Sequence, residues 1–175
     1  MDFKFLISMI YIFTGDGKGK TSAALGMAFR AAGYGYRSVV VQFMRGRETG
    51  EIKMARKESL LTVSLFGRRG WVDFSDPSRK DCQLARAGLQ RAKEVAVLKP
   101  FLLVLDEFNL AVARGLLEKK TALDFLREIC SQTHVVLTGR EAGKEFIEMA
   151  DLVTEFKAVR HPFDKGRSAV CGLDY

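Results

Sequence analysis

The run Thr14-Gly15-Asp16-Gly17-Lys18-Gly19-Lys20-Thr21 constrains this chain more than any other feature. An apolar run over 7–13 leads into it, and an alanine-rich stretch over 21–32 leads out. A strand, a glycine loop and a helix start, in that order, form a cradle for phosphate. Gly15, Gly17 and Gly19 let the backbone turn tightly and aim its N–H groups inward. Lys20 adds a point charge for phosphate oxygens, and the Thr21 hydroxyl is placed to bind Mg²⁺. Gly19-Lys20-Thr21 supplies the usual G-K-[ST] ending, but the usual first glycine falls on Thr14 and Gly15 comes one residue late. The loop therefore departs from the standard Walker A pattern. The competing reading is a flexible Gly/Lys surface turn; the flanking strand and helix favour the phosphate loop.

A length of 175 residues with 47% hydrophobic content predicts one globular domain spanning 1–175. The 28 basic residues exceed the 21 acidic ones, for a net charge of +7. Such a surface favours nucleotides, other phosphorylated small molecules or nucleic acid, without choosing among them. Cys82, Cys130 and Cys171 lie far apart, which argues against a disulfide framework or zinc site and for a cytoplasmic protein. Residues 1–13 hold Lys4 and an apolar stretch, as a signal peptide does, but no small-residue cleavage site follows. The stretch is too short for a bilayer, so no membrane association is expected, and 7–13 reads as a buried central strand.

Strands and helices alternate along the rest. The spacing predicts helices over 22–32, 76–98, 110–117, 121–131 and 144–150. Gly33 stands as a C-cap for the first, and Pro77 near the first turn of the second. Strands are predicted over 37–44, 60–66, 101–107, 134–140 and 152–159, with an added edge strand over 168–175. Residues 45–57 are basic and polar, a loop with a short helix. Together these predict an α/β fold with a mostly parallel sheet and helices on both faces.

Asp106 and Glu107 end a hydrophobic strand, where an acid can hold Mg²⁺ opposite the loop threonine. Arg140 follows Thr138-Gly139 at another strand end and is suited to bidentate phosphate contact or to a surface ion pair. Arg30, nine residues past Thr21, fits a solvated position as well as a nucleotide contact. His161, beside Pro162, reads as structural. Residues 67–74 form a glycine-bounded loop with Arg68, Arg69, Trp71 and Phe74, of the kind that contacts a partner. No Ser-His-Asp arrangement and no Cys/His metal pattern is present. From these residues alone the reading stops at an Mg-ATP-binding P-loop domain.

Several segments together carry a more specific likeness. They are the glycine loop, Val40-Val41-Gln42-Phe43, Leu105-Asp106-Glu107, Leu137-Thr138-Gly139-Arg140, Ala150-Asp151-Leu152-Val153-Thr154-Glu155 and His161-Pro162-Phe163-Asp164-Lys165-Gly166. In order and over nearly the whole chain, this set resembles the ATP:corrinoid adenosyltransferases, also called cob(I)yrinic acid a,c-diamide adenosyltransferases. The resemblance implies transfer of adenosyl from ATP to Co(I) of a cobalamin, cobinamide or cobyrinic acid diamide, with triphosphate as leaving group. It narrows the expected α/β fold to a RecA-like P-loop fold. It also implies Mg²⁺, a homodimer, a reduced flavoprotein as electron donor and a nucleotide lying reversed relative to ordinary P-loop enzymes. By the same likeness, Gly15, Asp16, Gly17, Lys18, Gly19 and Lys20 are nucleotide-loop residues, Arg30 and Arg140 nucleotide contacts, and Thr21, Glu107 and Asp106 metal ligands. Lys20, Thr21 and Glu107 are the catalytic candidates. The family's G-x-G-F-x-W-like loop excludes a lower axial ligand from cobalt. Here Trp71 matches one aromatic, while the second falls on or next to Asp73, with Phe74 the nearest aromatic. About six residues precede the first strand, fewer than family members often carry, which implies a different corrinoid cover.

Two rivals share part of this pattern. A small-molecule kinase needs the loop, the acid and arginines, together with an acceptor-side base. A nucleic-acid-stimulated ATPase would use the +7 charge with Arg68, Arg69 and Trp71. The motif set makes nucleic acid the weaker expectation.

Overall fold

The computed structural model describes residues 8–129, 131–161, 166 and 168–173. Six strands, β1 (Ile10–Thr14), β2 (Ser38–Phe43), β3 (Leu61–Phe66), β4 (Leu102–Asp106), β5 (His134–Thr138) and β6 (Leu152–Glu155), form one sheet. Its order is β3-β2-β4-β5-β1-β6, and every pairing is parallel. Parallel strands need crossovers, and helices supply most of them: α1 (Lys20–Gly33), α2 (Gly50–Ala55), α3 (Arg79–Ala96), α4 (Phe108–Ala113), α5 (Lys119–Ile129) and α6 (Lys144–Met149).

The central strands read as continuous apolar runs because both faces are covered. Along β4, Leu103 and Leu105 face a core built with α3, α4 and α5. Leu102 and Val104 face the opposite core, with Ala24 and Ala28 of α1. Those alanines are fully buried; their small side chains let α1 lie close on the sheet. Truncating a side chain such as Leu105, fully buried in the middle of this stack, costs roughly 2–5 kcal/mol.

The strands end in register. Gln42 pairs with Asp106 across β2 and β4, Phe13 with Thr138 across β1 and β5, and Leu105 with Leu137 across β4 and β5. The polar residues that close these strands therefore gather at one edge of the sheet, where ligands of open α/β folds collect.

Several boundaries differ from the sequence expectation for local reasons. Gly33 lies inside α1; the left-handed turn falls on Gly35 (φ 79°), and the Tyr36 amide closes back on Ala31 O. Helix α3 starts at Arg79, not at Asp76. Ser78 is its N-cap and accepts from the Asp81 amide, which leaves Pro77 outside the first turn. Strand β6 stops at Glu155, because Phe156 and Lys157 leave the ladder to back the glycine loop. Residues 168–173 form coil and turn, so the expected edge strand is absent over its described part and β6 is the sheet edge. Ile7, Cys130 and 162–165 of the His161 motif lie outside the described residues. Cys82 and Cys171 carry no disulfide. Among the described residues no helix is long and apolar enough to cross a membrane.

Candidate active site at the carboxyl edge of the sheet

The glycine loop follows β1 and is supported from behind by the chain after β6. Gly17 donates its amide to Phe156 O at 2.7 Å, and Phe156 donates to Thr14 O at 2.8 Å. Gly15 sits at φ 92°, and a Cβ there would lie 2.4 Å from Phe156 O. A Cβ on Gly17 would lie 2.7 Å from the Lys157 carbonyl carbon. Glycine is required at both positions, by the positive φ at the first and by close backbone approach at both. Gly19 (φ 119°) then opens α1, and Lys20 and Thr21 occupy its first turn. Lys20 is buried and donates through Nζ to Gly15 O and Gly17 O, both at 2.7 Å. Burial pushes its ammonium below the usual lysine range, while Glu107 pulls in the opposite direction.

Asp106 is the hub of the site. It is fully buried, and its Oδ1 accepts from Thr21 Oγ1 at 2.8 Å and Thr138 Oγ1 at 2.6 Å. Its Oδ2 accepts from Gln42 Nε2 at 3.0 Å. Glu107, the next residue, adopts a left-handed conformation (φ 61°) and donates its amide to Thr138 Oγ1 at 2.9 Å. This strained bend turns the chain from β4 into α4 and sets Glu107 at the mouth of the site. Burial, then the neighbouring Asp106 charge, raises the Glu107 pKa; Arg45, Lys20 and Arg140 act against that rise.

Two cavities open here. The smaller, about 450 Å³, is lined by Lys18, Gly19, Lys20, Thr21, Arg45 and Glu107, among others. The larger, about 640 Å³, has apolar walls from Met44, Trp71, Val72, Phe74 and Leu110, with Arg45, Glu107 and Arg140 beside them. Trp71 is 94% exposed. Asp73 is occupied in a turn, accepting from the Ser75 amide and hydroxyl, and Phe74 lines this wall together with Trp71 and Phe43. Arg114 lies over the Phe74 ring at 5.6 Å.

The structure thus gathers Lys18, Gly19, Lys20, Thr21, Asp106, Glu107, Arg140, Trp71 and Phe74 around two adjoining spaces. Asp16 is exposed and faces Arg140 at 3.7 Å. Arg30 is not brought in: it is exposed in the last turn of α1, and nine helical residues separate it from Thr21 by roughly 13 Å of rise. Arg68 borders the larger cavity with its guanidinium paired to buried Asp81 at 2.8 Å and donating to Trp71 O at 3.0 Å. That pairing weakens the nucleic-acid reading. Thr138 and Gln42 stand in segments that carry the family likeness but were given no role from sequence, and Arg45 and Phe156 were given none either. Thr138 and Gln42 could have been given one, as polar residues closing apolar strands; Phe156 carries no such signal.

The sheet order, loop and buried acid define a P-loop nucleotide-binding protein of RecA-like fold. A KaiC-like protein from the hyperthermophilic archaeon Pyrococcus horikoshii OT3 shares that fold, with a TM-score of 0.53, 17% identity, and coverage of 85% of this chain and 72% of the other. Residues 7–175 match the profile of the ATP:corrinoid adenosyltransferase BtuR/CobO/CobP family, and the chain belongs to that family of transferases. It is similar to the corrinoid adenosyltransferase of a Sinorhizobium species, at 36% identity over 95% of this chain and 80% of the relative. It is also similar to the Escherichia coli K12 corrinoid adenosyltransferase, at 34% identity over 95% of this chain and 85% of the relative. The corrinoid adenosyltransferase CobA of Salmonella typhimurium LT2 is 33% identical over the same 95% of this chain.

Proposed function

We propose that this chain transfers the 5′-deoxyadenosyl group of ATP to the Co(I) centre of a corrinoid, with release of inorganic triphosphate, in cobalamin biosynthesis or salvage. The observation that carries the reading is the junction of two unlike cavities, one built on the glycine loop and one with aromatic walls, which share Arg45 and Glu107. ATP belongs in the first and the corrinoid in the second. The electron pair that forms the cobalt–carbon bond comes from Co(I), the C5′–O bond breaks, and its electrons leave with the triphosphate. No protein nucleophile or base is required, because Co(I) is itself the nucleophile. The chain's work is positioning and charge stabilisation.

Lys20 and the amides of Gly15, Asp16, Gly17, Lys18 and Gly19 hold the polyphosphate, and Arg140 supplies a further cation. Lys20 must first leave the Gly15 and Gly17 carbonyls that hold it here. The oxygen donors of Thr21, Asp106 and Glu107 fit Mg²⁺, a hard cation, and the desolvated Glu107 carboxylate favours a positive charge beside it. Mg²⁺ bound there would screen the polyphosphate oxygens. Trp71 and Phe74 exclude an axial ligand from cobalt.

Residues 1–175 act as one domain in a homodimer in the cytoplasm, and a reduced flavoprotein supplies the electron that makes Co(I). The single domain rests on length and composition and the location on the dispersed cysteines, while the homodimer and the electron donor follow the family likeness. The reading is tested by mixing ATP, Mg²⁺ and chemically reduced cobinamide with the protein, with Lys20→Ala as the blank. A light-sensitive adenosyl-corrinoid plus triphosphate supports it. ADP or orthophosphate with an unchanged corrin spectrum contradicts it.

A further inference from the structure

Arg45 is one of the two residues that line both cavities. Its backbone is fixed. Met44 before it takes φ 57°, and its amide donates to Phe66 O at 2.8 Å. Gly46 after it crosses Gly67 so closely that a Cβ on Gly46 would lie 2.4 Å from Gly67 O. A Cβ on Gly67 would lie 2.3 Å from Arg45 N. The main chain has no room to shift toward this crossing.

The side chain is held differently. The guanidinium reaches Asp106 Oδ2 at 3.7 Å and Glu51 Oε1 at 3.6 Å, and is 29% exposed. Both carboxylates already accept a hydrogen bond from Gln42 Nε2, at 3.0 Å for Asp106 and 3.2 Å for Glu51. Neither acid depends on Arg45 for a hydrogen-bond partner. A cation on a rigid stem, loosely paired and facing two spaces, answers to whichever space gains negative charge. On the side of the larger cavity it stands with Arg47, Arg68, Arg114 and Arg140, against Glu107 and Glu141.

We propose that Arg45 couples the two sites: polyphosphate in the smaller cavity draws its guanidinium away from the larger one and tightens corrinoid binding there. The inference rests on the cavity assignments made above. A polyphosphate offers several anionic oxygens in the bidentate geometry that guanidinium prefers. Moving the head group enlarges the aromatic-walled cavity and removes a hydrated charge from it. Coupling of this kind is reciprocal, and its usual size is about 5- to 150-fold.

Trp71 is the sole tryptophan of the chain and lines the larger cavity, so its fluorescence reports that site. The experiment titrates wild type, Arg45→Met and Arg45→Lys with Co(II) cobinamide, with and without inorganic triphosphate and Mg²⁺. Triphosphate is expected to lower the cobinamide Kd at least fivefold in wild type. Cobinamide should lower the triphosphate Kd by the same factor. In Arg45→Met each ligand still binds alone while the factor falls to about one, and Arg45→Lys retains part of it. Circular dichroism checks that both variants are folded. An unchanged factor in Arg45→Met, or none in wild type, overturns the inference. Cobinamide that leaves wild-type Trp71 unquenched overturns the cavity assignment, and the inference with it.

Discussion

Thr21, in the first turn of α1, donates a hydrogen bond of 2.8 Å to Asp106, at the end of β4, 85 residues away. With Thr138 donating to the same oxygen at 2.6 Å, the acid ties three elements together before any ligand arrives. Asp106→Asn preserves the shape and removes the charge from these bonds. The expected loss is about 2–4 kcal/mol of stability by urea denaturation, with adenosyl transfer reduced at least 100-fold. A variant of wild-type stability and rate would show that the hub is dispensable.

The glycine loop gives a paired prediction. Gly15→Ala drives a Cβ onto Phe156 O and forces an L-residue into φ 92°. Its nucleotide affinity should fall at least tenfold while helix content is unchanged. Gly26→Ala meets nothing within 4 Å inside α1 and should be neutral or stabilising by up to about 1 kcal/mol. Equal affinities in the two variants would contradict the backing role of Phe156.

Asp81 offers a test by pH. Its hydrogen bond from Arg68 holds its carboxyl below the ordinary range, against the effect of burial. Stability from a depressed carboxylate is present above the unfolded value and is lost as pH falls through the folded one. The Tm gap between wild type and Arg68→Met should therefore be steady from about pH 5 to 8 and shrink below about pH 4. A gap that persists to about pH 3 would assign the pair no electrostatic role.

Trp71, 94% exposed on the wall of the larger cavity, should matter most when axial ligation must be prevented. Trp71→Ala is expected to slow reactions begun from Co(II) at least tenfold more than those begun from pre-formed Co(I). Equal losses in both would leave Trp71 a contact residue only.

Much of this site was legible before folding was considered. Apolar runs covered on both faces marked the strands, and acids closing one of them marked Asp106 and Glu107. What escaped was tertiary. Nothing local announces that Phe156 leaves its strand to support Gly15 and Gly17, so β6 was expected to continue to residue 159. Thr138 belongs to a segment that carries the likeness, but nothing local gives it a role; the fold sets its hydroxyl against Asp106. Arg30, carried over by likeness, lies exposed in the last turn of α1 and lines neither cavity. The turn after α1 fell on Gly35 because two glycines compete there, and the closing bond from the Tyr36 amide selects the second.

The central claim is that chemistry occurs at carbon and not at phosphorus. ATP carrying ¹⁸O in the bridge between C5′ and the α-phosphate tests it directly, with reduced cobinamide as acceptor and mass spectrometry of the products. Breaking the C5′–O bond predicts that all label leaves with triphosphate and none stays with adenosyl. Label retained on the nucleoside fragment, or a nucleotide product in place of triphosphate, would contradict the account.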